Sequence, residues 1–139
     1  MKLSMASALL CATAFAFASP AMAQSVNFKA SLSGAEEVPP VQTAGKGELT
    51  ATFDQASKKL SWQGNYSGLS GPATAAHFHA AEKGKNGGVA VPIAPAASPL
   101  KGEATLNDQQ VTDLMAGRWY VNVHTEANKA GEIRGQMEK

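Results

Sequence analysis

RWYVNVHTEANKAGEIRGQM, residues 118–137, is the stretch that decides the fold. Arg118 to Thr125 and Gly131 to Met137 each alternate apolar and polar residues with period two, the mark of a half-buried strand. Glu126 to Ala130 separates them as a short loop. With Thr125 opposite Gly131, Trp119 faces Met137, Val121 faces Gly135 and Val123 faces Ile133. That face is apolar and belongs to a core. The opposite face pairs Tyr120 with Gln136, Asn122 with Arg134 and His124 with Glu132. A register slip of two residues changes the partners but leaves the faces alone. A hairpin with one apolar face needs a second layer to bury it.

The same alternation runs upstream. Val26, Phe28, Ala30 and Leu32 share one face of Ser25 to Ser33. Leu49, Ala51 and Phe53 do so in Gly47 to Asp54, and Leu60, Trp62, Gly64 and Tyr66 in Lys58 to Tyr66. Thr74 to Ala80, Val89 to Ile93 and Leu100 to Leu106 read as further strands, with Pro92 favouring a sheet edge. Asn107 to Gly117 breaks the pattern. Asn107 and Gln110 are spaced for a capping box, Val111, Leu114 and Met115 share a helical face, and Gly117 can end the helix left-handed. About eight short strands and one short helix before the final hairpin predict an all-β fold. The architecture expected is an antiparallel, immunoglobulin-like Greek-key β-sandwich.

The chain has 139 residues, one domain's length. Residues 1–23 read as a signal peptide: Lys2, an apolar run from Met5 to Phe17, then Ala21-Met22-Ala23 with small residues at both recognition positions. Cleavage is expected between Ala23 and Gln24, leaving residues 24–139 as one exported domain, periplasmic or secreted. Lys2 is the leader's only charge, so 12 basic residues fall to 11 against 11 acidic ones. A neutral mature chain argues against binding nucleic acid or an anionic membrane. No later segment is long and apolar enough to cross a bilayer, and a monomer is expected. The lone Cys11 leaves with the leader, which excludes a disulfide, a thiolate nucleophile and a cysteine metal site in the mature chain.

The three histidines all fall on faces turned away from the core. His77 and His79 lie on one side of a strand, about 7 Å apart by strand rise. His124 completes three ligands if its strand is a neighbour. Neutral imidazole suits copper, zinc, nickel and iron, with affinity rising toward copper. Glu132, opposite His124, is placed to fix its tautomer or to be a fourth ligand. Other chemistry has little support. There is no Gly-x-Ser-x-Gly elbow for nucleophilic catalysis. Glu36 and Glu37 are adjacent and point to opposite sides, so they read as structural, binding backbone amides or a partner charge such as Arg134. The Gly84 to Gly88 stretch opens no helix and reads as a turn, not a phosphate loop.

Longer motifs add a resemblance. Ser33-Gly34-Ala35-Glu36-Glu37-Val38-Pro39-Pro40-Val41, then Gly68-Leu69-Ser70-Gly71-Pro72 with Ala76-His77-Phe78-His79, resemble the opening and middle of the CHRD domain first described in chordin. Leu114-Met115-Ala116-Gly117, Tyr120-Val121-Asn122-Val123-His124-Thr125 and Gly131-Glu132-Ile133-Arg134-Gly135 resemble its end. Lys129-Ala130 departs from the family, which often has a proline there. The resemblance implies a β-sandwich and, for bacterial members, an exported single domain of poorly defined function. Chordin's growth-factor partner does not carry over. The His-x-His strand and Val-His-Thr also resemble the copper side of Cu/Zn superoxide dismutase. Three histidines without a mature cysteine cannot build that paired-metal site, and fold likeness does not carry activity.

The expectation is thus an exported CHRD-family sandwich that binds, buffers or delivers copper, with zinc as the second choice, through His77, His79 and His124. It is more a binding protein than an enzyme. The rivals are a metal-free envelope or protein-interaction module and, behind it, a small mononuclear copper redox enzyme.

Overall fold

Alternation becomes eight strands: β1 (Ser25–Ser33), β2 (Lys46–Asp54), β3 (Lys59–Ser67), β4 (Ala73–His79), β5 (Val89–Ile93), β6 (Leu100–Thr105), β7 (Tyr120–Thr125) and β8 (Ile133–Gln136). The helix α1 (Asp108–Met115) precedes β7, and a single 3-10 turn covers Gly34–Glu36. The computed structural model describes residues 24–139; the expected leader, with Cys11 and the cleavage position at Ala23, lies outside the described residues.

All strand pairings are antiparallel and join in one sheet, ordered β5-β4-β7-β8-β1-β2-β3-β6. The sheet curls until its two end strands, β5 and β6, approach, so its halves face each other as the layers of a sandwich do. Trp62 of β3 meets Phe78 of β4 edge-on across that space, ring centroids 5.1 Å apart, and Phe78 leans on Trp119 at 5.6 Å. Phe28, Leu49, Phe53, Leu60, Val121, Val123 and Ile133 fill the rest of the core. Truncating one of the large core side chains to alanine should cost about 3–5 kcal/mol, the transfer term plus the cavity left behind. Pro92 sits on β5, an end strand of the sheet, where its missing N–H breaks no ladder.

The helix forms as its sequence dictates. Asn107 Oδ1 accepts from Gln110 N–H (2.9 Å), and Asn107 N–H donates to Gln110 Oε1 (3.0 Å). Leu114 is driven into the core, and Gly117 takes φ +75° just past the helix end. No helix among the described residues is long and apolar enough to cross a membrane.

The final hairpin keeps the expected register: Tyr120 opposite Gln136, Val121 opposite Gly135, Asn122 opposite Arg134, Val123 opposite Ile133. Its outer face is nevertheless not a solvent face. The segment Ala80 to Gly88 folds over it. Gln136 Nε2 donates to Ala81 O (3.0 Å), Arg134 Nη2 to Lys85 O (2.7 Å), and Arg134 Nη1 to Asn86 Oδ1 (3.1 Å). Asn86 Nδ2 in turn donates to Val38 O (2.7 Å) in the loop after β1. Tyr120, Asn122 and Arg134 are buried beneath these two segments.

Candidate metal centre

β4 and β7 are hydrogen-bonded neighbours, so the two outer faces that carry histidines lie side by side. His77 stands opposite Asn122, His79 opposite Tyr120 and Ala75 opposite His124. One ring nitrogen from each of His77, His79 and His124 falls within 4.8 Å of the other two. His77 Nδ1 is 3.1 Å from His124 Nε2. With metal–nitrogen bonds of about 2.0–2.1 Å, two ligands on opposite sides of an ion are about 4.1 Å apart. A ring rotation of well under ~1 Å at each nitrogen brings the set inside that limit.

Two of the rings are already oriented for ligation. A carbonyl can only accept, so the Nδ1 facing one must carry the proton. His79 Nδ1–H donates to Gly87 O (2.9 Å) and His124 Nδ1–H donates to Lys129 O (2.8 Å). In the neutral rings both Nε2 atoms are therefore left with a lone pair, the arrangement that backbone carbonyls impose on metal-binding histidines. His79 Nε2 is buried and has no hydrogen-bond partner. Burial, then the charges of the neighbouring His124 and His79, lowers the pKa of His77. Burial also lowers that of His79, with the His124 and Arg134 charges adding to it, against hydrogen bonds that raise it. Both rings are thus held in the neutral form that can ligate.

The support behind His79 is layered. Its ring stacks on Tyr120 (centroids 4.8 Å apart, planes 2° from parallel), and the Arg134 guanidinium lies 3.5 Å over the same tyrosine ring. The Tyr120 hydroxyl accepts from Gly87 N–H (3.2 Å), on the residue whose carbonyl orients His79. A side chain at Gly87 would collide with Ala80 O at 1.9 Å, so the loop can pass this close only as glycine.

Asn122 joins the cluster, and the sequence offered no signal for it beyond an outward position next to Arg134. Its Oδ1 is 2.9 Å from His124 Nε2. Its Nδ2 points the other way, toward Ala130 O (3.4 Å) and Glu37. Glu37 is buried, and its Oε1 has no partner of ordinary hydrogen-bond geometry. Burial pushes its pKa up to about 7, although the Arg134 charge and the Asn122 amide pull it back down.

Two expectations are corrected here. Glu132 neither orients His124 nor can reach an ion beside it. Gly131 adopts φ +127°, the strand pairing ends at Ile133, and the Glu132 side chain turns to the opposite side of the hairpin. There it accepts from Thr43 Oγ1 (2.8 Å), Thr125 Oγ1 (2.8 Å), Ser70 N–H (2.9 Å) and the Ser70 hydroxyl. The Lys129 carbonyl takes the place expected of Glu132. Nor does Arg134 pair with Glu36 or Glu37. Its guanidinium is spent on the carbonyls of Glu82 and Lys85 and on Asn86. Glu36, the last residue of the 3-10 turn rather than part of an extended strand, points outward to Lys83 (3.5 Å), while Glu37 just past the turn is buried.

The chain matches no curated protein and no solved structure. The family model of the CHRD domain matches residues 28–137, which include every strand but the start of β1 and every residue of the histidine cluster. The chain therefore belongs to the CHRD domain family.

Proposed function

We propose that this CHRD-family chain binds one transition-metal ion, copper or zinc, through His77, His79 and His124, and serves in its binding, buffering or delivery after export. The observation that carries this reading is the convergence of three ring nitrogens within 4.8 Å, two of them fixed as acceptors by backbone carbonyls and one buried without a partner. Without an ion, His77 Nδ1 can donate to His124 Nε2 at 3.1 Å; a bound cation would take the place of that proton. Imidazole donors without thiolate suit Cu(II) and Zn(II) above hard cations. Because β4 supplies two ligands and β7 the third, the ion would clip neighbouring strands. His77 and His124 are only half-buried, which leaves the ion a way in.

Calorimetric titration of the mature protein with Cu(II) and with Zn(II), followed by elemental analysis, tests this. One equivalent per chain, lost in His79→Ala and in His124→Ala, is the expected result. Absence of binding, or unchanged affinity in His124→Ala, returns the protein to the metal-free interaction reading. Export is tested separately: intact mass of the protein from the extracellular or periplasmic fraction should start at Gln24, and retention of Cys11 would overturn it.

A further inference from the structure

Three histidines leave a four-coordinate ion one position short, and Glu132 is turned away from it. What lies at that position is an amide. Asn122 Oδ1 is 2.9 Å from His124 Nε2, about the separation of two ligands that share an ion. It also stands next to His79, whose ring it influences. Asn122 sits on β7 directly opposite His77. The amide oxygen thus lies against His124, on the outer face that Asn122 shares with His77 and His79.

Its orientation follows from its surroundings. Amide oxygen and nitrogen are told apart by partners. The nitrogen side of Asn122 meets two acceptors, Ala130 O at 3.4 Å and Glu37 Oε1. A Cβ on Gly131 would lie 2.4 Å from Glu37 Oε1 and 2.5 Å from Asn122 Nδ2, so both groups crowd the space beside a glycine that must stay bare, and the Asn122 amide acts on the Glu37 carboxyl. Turning the amide over would set its oxygen against both acceptors. The oxygen is therefore directed at the histidines. There it meets His124 Nε2, which carries a lone pair in the neutral ring, so two acceptors face each other at hydrogen-bond distance. Only a proton or a cation between them relieves that contact.

Glu37 has no other evident use. It is a buried acid carried by the loop after β1, and the groups acting on it are the Asn122 amide and the Arg134 charge. A carboxylate beside the amide nitrogen draws on its N–H and makes the amide oxygen a stronger donor to a cation. We infer that Asn122 supplies, through Oδ1, the fourth donor of the histidine site, with Glu37 as the positioning residue that directs its amide. This rests on the metal-binding reading and extends it to an N₃O donor set that no sequence motif announces.

The test uses the mature protein and Zn(II) or Cu(II) alone. In the wild-type protein, Zn(II) should shift the Asn122 side-chain ¹³Cγ resonance, and the spectrum of the Cu(II) form should report three nitrogens and one oxygen in the plane. Asn122→Ala should lower affinity about 10–100-fold while leaving one equivalent bound. Asn122→Asp, which keeps an oxygen there, should recover most of that loss. Glu37→Gln should lower affinity severalfold, with the Asn122 resonances altered in the metal-free protein. An unmoved Asn122 ¹³Cγ in Zn(II)-saturated wild type overturns the fourth donor, even if Asn122→Ala fails to fold. Unaltered Asn122 resonances and affinity in Glu37→Gln overturn the positioning role. A wild-type protein that binds neither ion removes the metal-binding reading itself, an outcome distinct from binding that ignores Asn122.

Discussion

Glu132 and the histidine cluster occupy opposite sides of one hairpin, and each is a buried concentration of polar atoms. Glu132 is fully buried, yet every lone pair that matters is filled by Thr43, Ser70, Thr125 or Asn128. Its donors come from the loop after β1, the loop between β3 and β4, and the β7–β8 turn, so one carboxylate ties three connections together. Burial alone would raise its pKa, but these hydrogen bonds outweigh burial and hold it at about 2. The histidine side has the reverse accounting. His79 Nε2 has no partner there, and His124 Nε2 faces both Asn122 Oδ1 and His77 Nδ1. A saturated buried carboxylate is a fastening, whereas the histidine side leaves a buried ring nitrogen unsatisfied, which is the side the proposed ion would occupy.

The contrast can be broken most sharply by exchanging the two behaviours. His79→Ala and His124→Ala should each lower Cu(II) affinity at least a hundredfold, about 3 kcal/mol, while the metal-free melting temperature stays within a few degrees. Calorimetry and a thermal scan together check this, and a large loss of stability would place the histidines with Glu132. Glu132→Gln should do the opposite. It strands hydroxyl and amide donors in a buried site, so chemical denaturation should show a loss of about 2–3 kcal/mol, with ion affinity unchanged within threefold.

Arg134 sharpens the comparison because it serves the cover of the histidine side. Arg134→Ala takes the donor from the Lys85 carbonyl, leaves the Glu82 carbonyl with only its bond from Lys85 N–H, and removes the cation above Tyr120. We expect a loss of about 2 kcal/mol in denaturation and a several-fold fall in ion affinity, because the Gly87 carbonyl that orients His79 rides on the same segment. Arg134→Lys should recover little of either, since one ammonium cannot reach partners spread over a planar fork.

The smallest effects are those of pH. The Glu132 pKa is lowered in the fold, so its contribution is complete above its unfolded value near 4.5 and is lost as pH falls from there toward about 2. Glu37 has the opposite sign. Its pKa is raised toward about 7, so stability falls by ~1 kcal/mol or more as pH rises from 4.5 to 7. Denaturation curves across this range should peak on the acid side of neutrality, and Glu37→Gln should flatten the upper arm alone. Ion binding should hold below pH 6.5 and then decline, because His77 and His79 both have pKa values below the ordinary one.

Much of this molecule is legible in its sequence. Period-two alternation places β1 at Ser25–Ser33 and β5 at Val89–Ile93 and sets the faces of every strand, because side chains alternate on extended backbone whatever the topology. Trp62 and Trp119 are core residues for that reason, and the three histidines share the other face. Asn107 and Gln110 cap α1 through contacts made within four residues. The same reasoning fails wherever a partner lies far along the chain. His124 and Glu132 are opposite each other by simple counting, but Gly131 at φ +127° turns Glu132 to donors 62 and 89 residues away. Residue pattern points Arg134 at Glu36 or Glu37, yet its partners lie in a segment that periodicity marks only as a turn.

Strand faces and cap are thus the sequence's own doing, since each depends on backbone geometry within a few residues; the clustering of the histidines needs β4 to pair with β7, which the residue pattern leaves open. Tertiary structure alone decided that the outer face of β7 and β8 is covered at Tyr120, Asn122 and Arg134, that Gly87 and Lys129 present carbonyls to His79 and His124, and that Asn122 and Glu37 meet behind them. Those outcomes depend on how loops close over the sheet, and loop closure is set by long-range hydrogen bonds that no local pattern encodes.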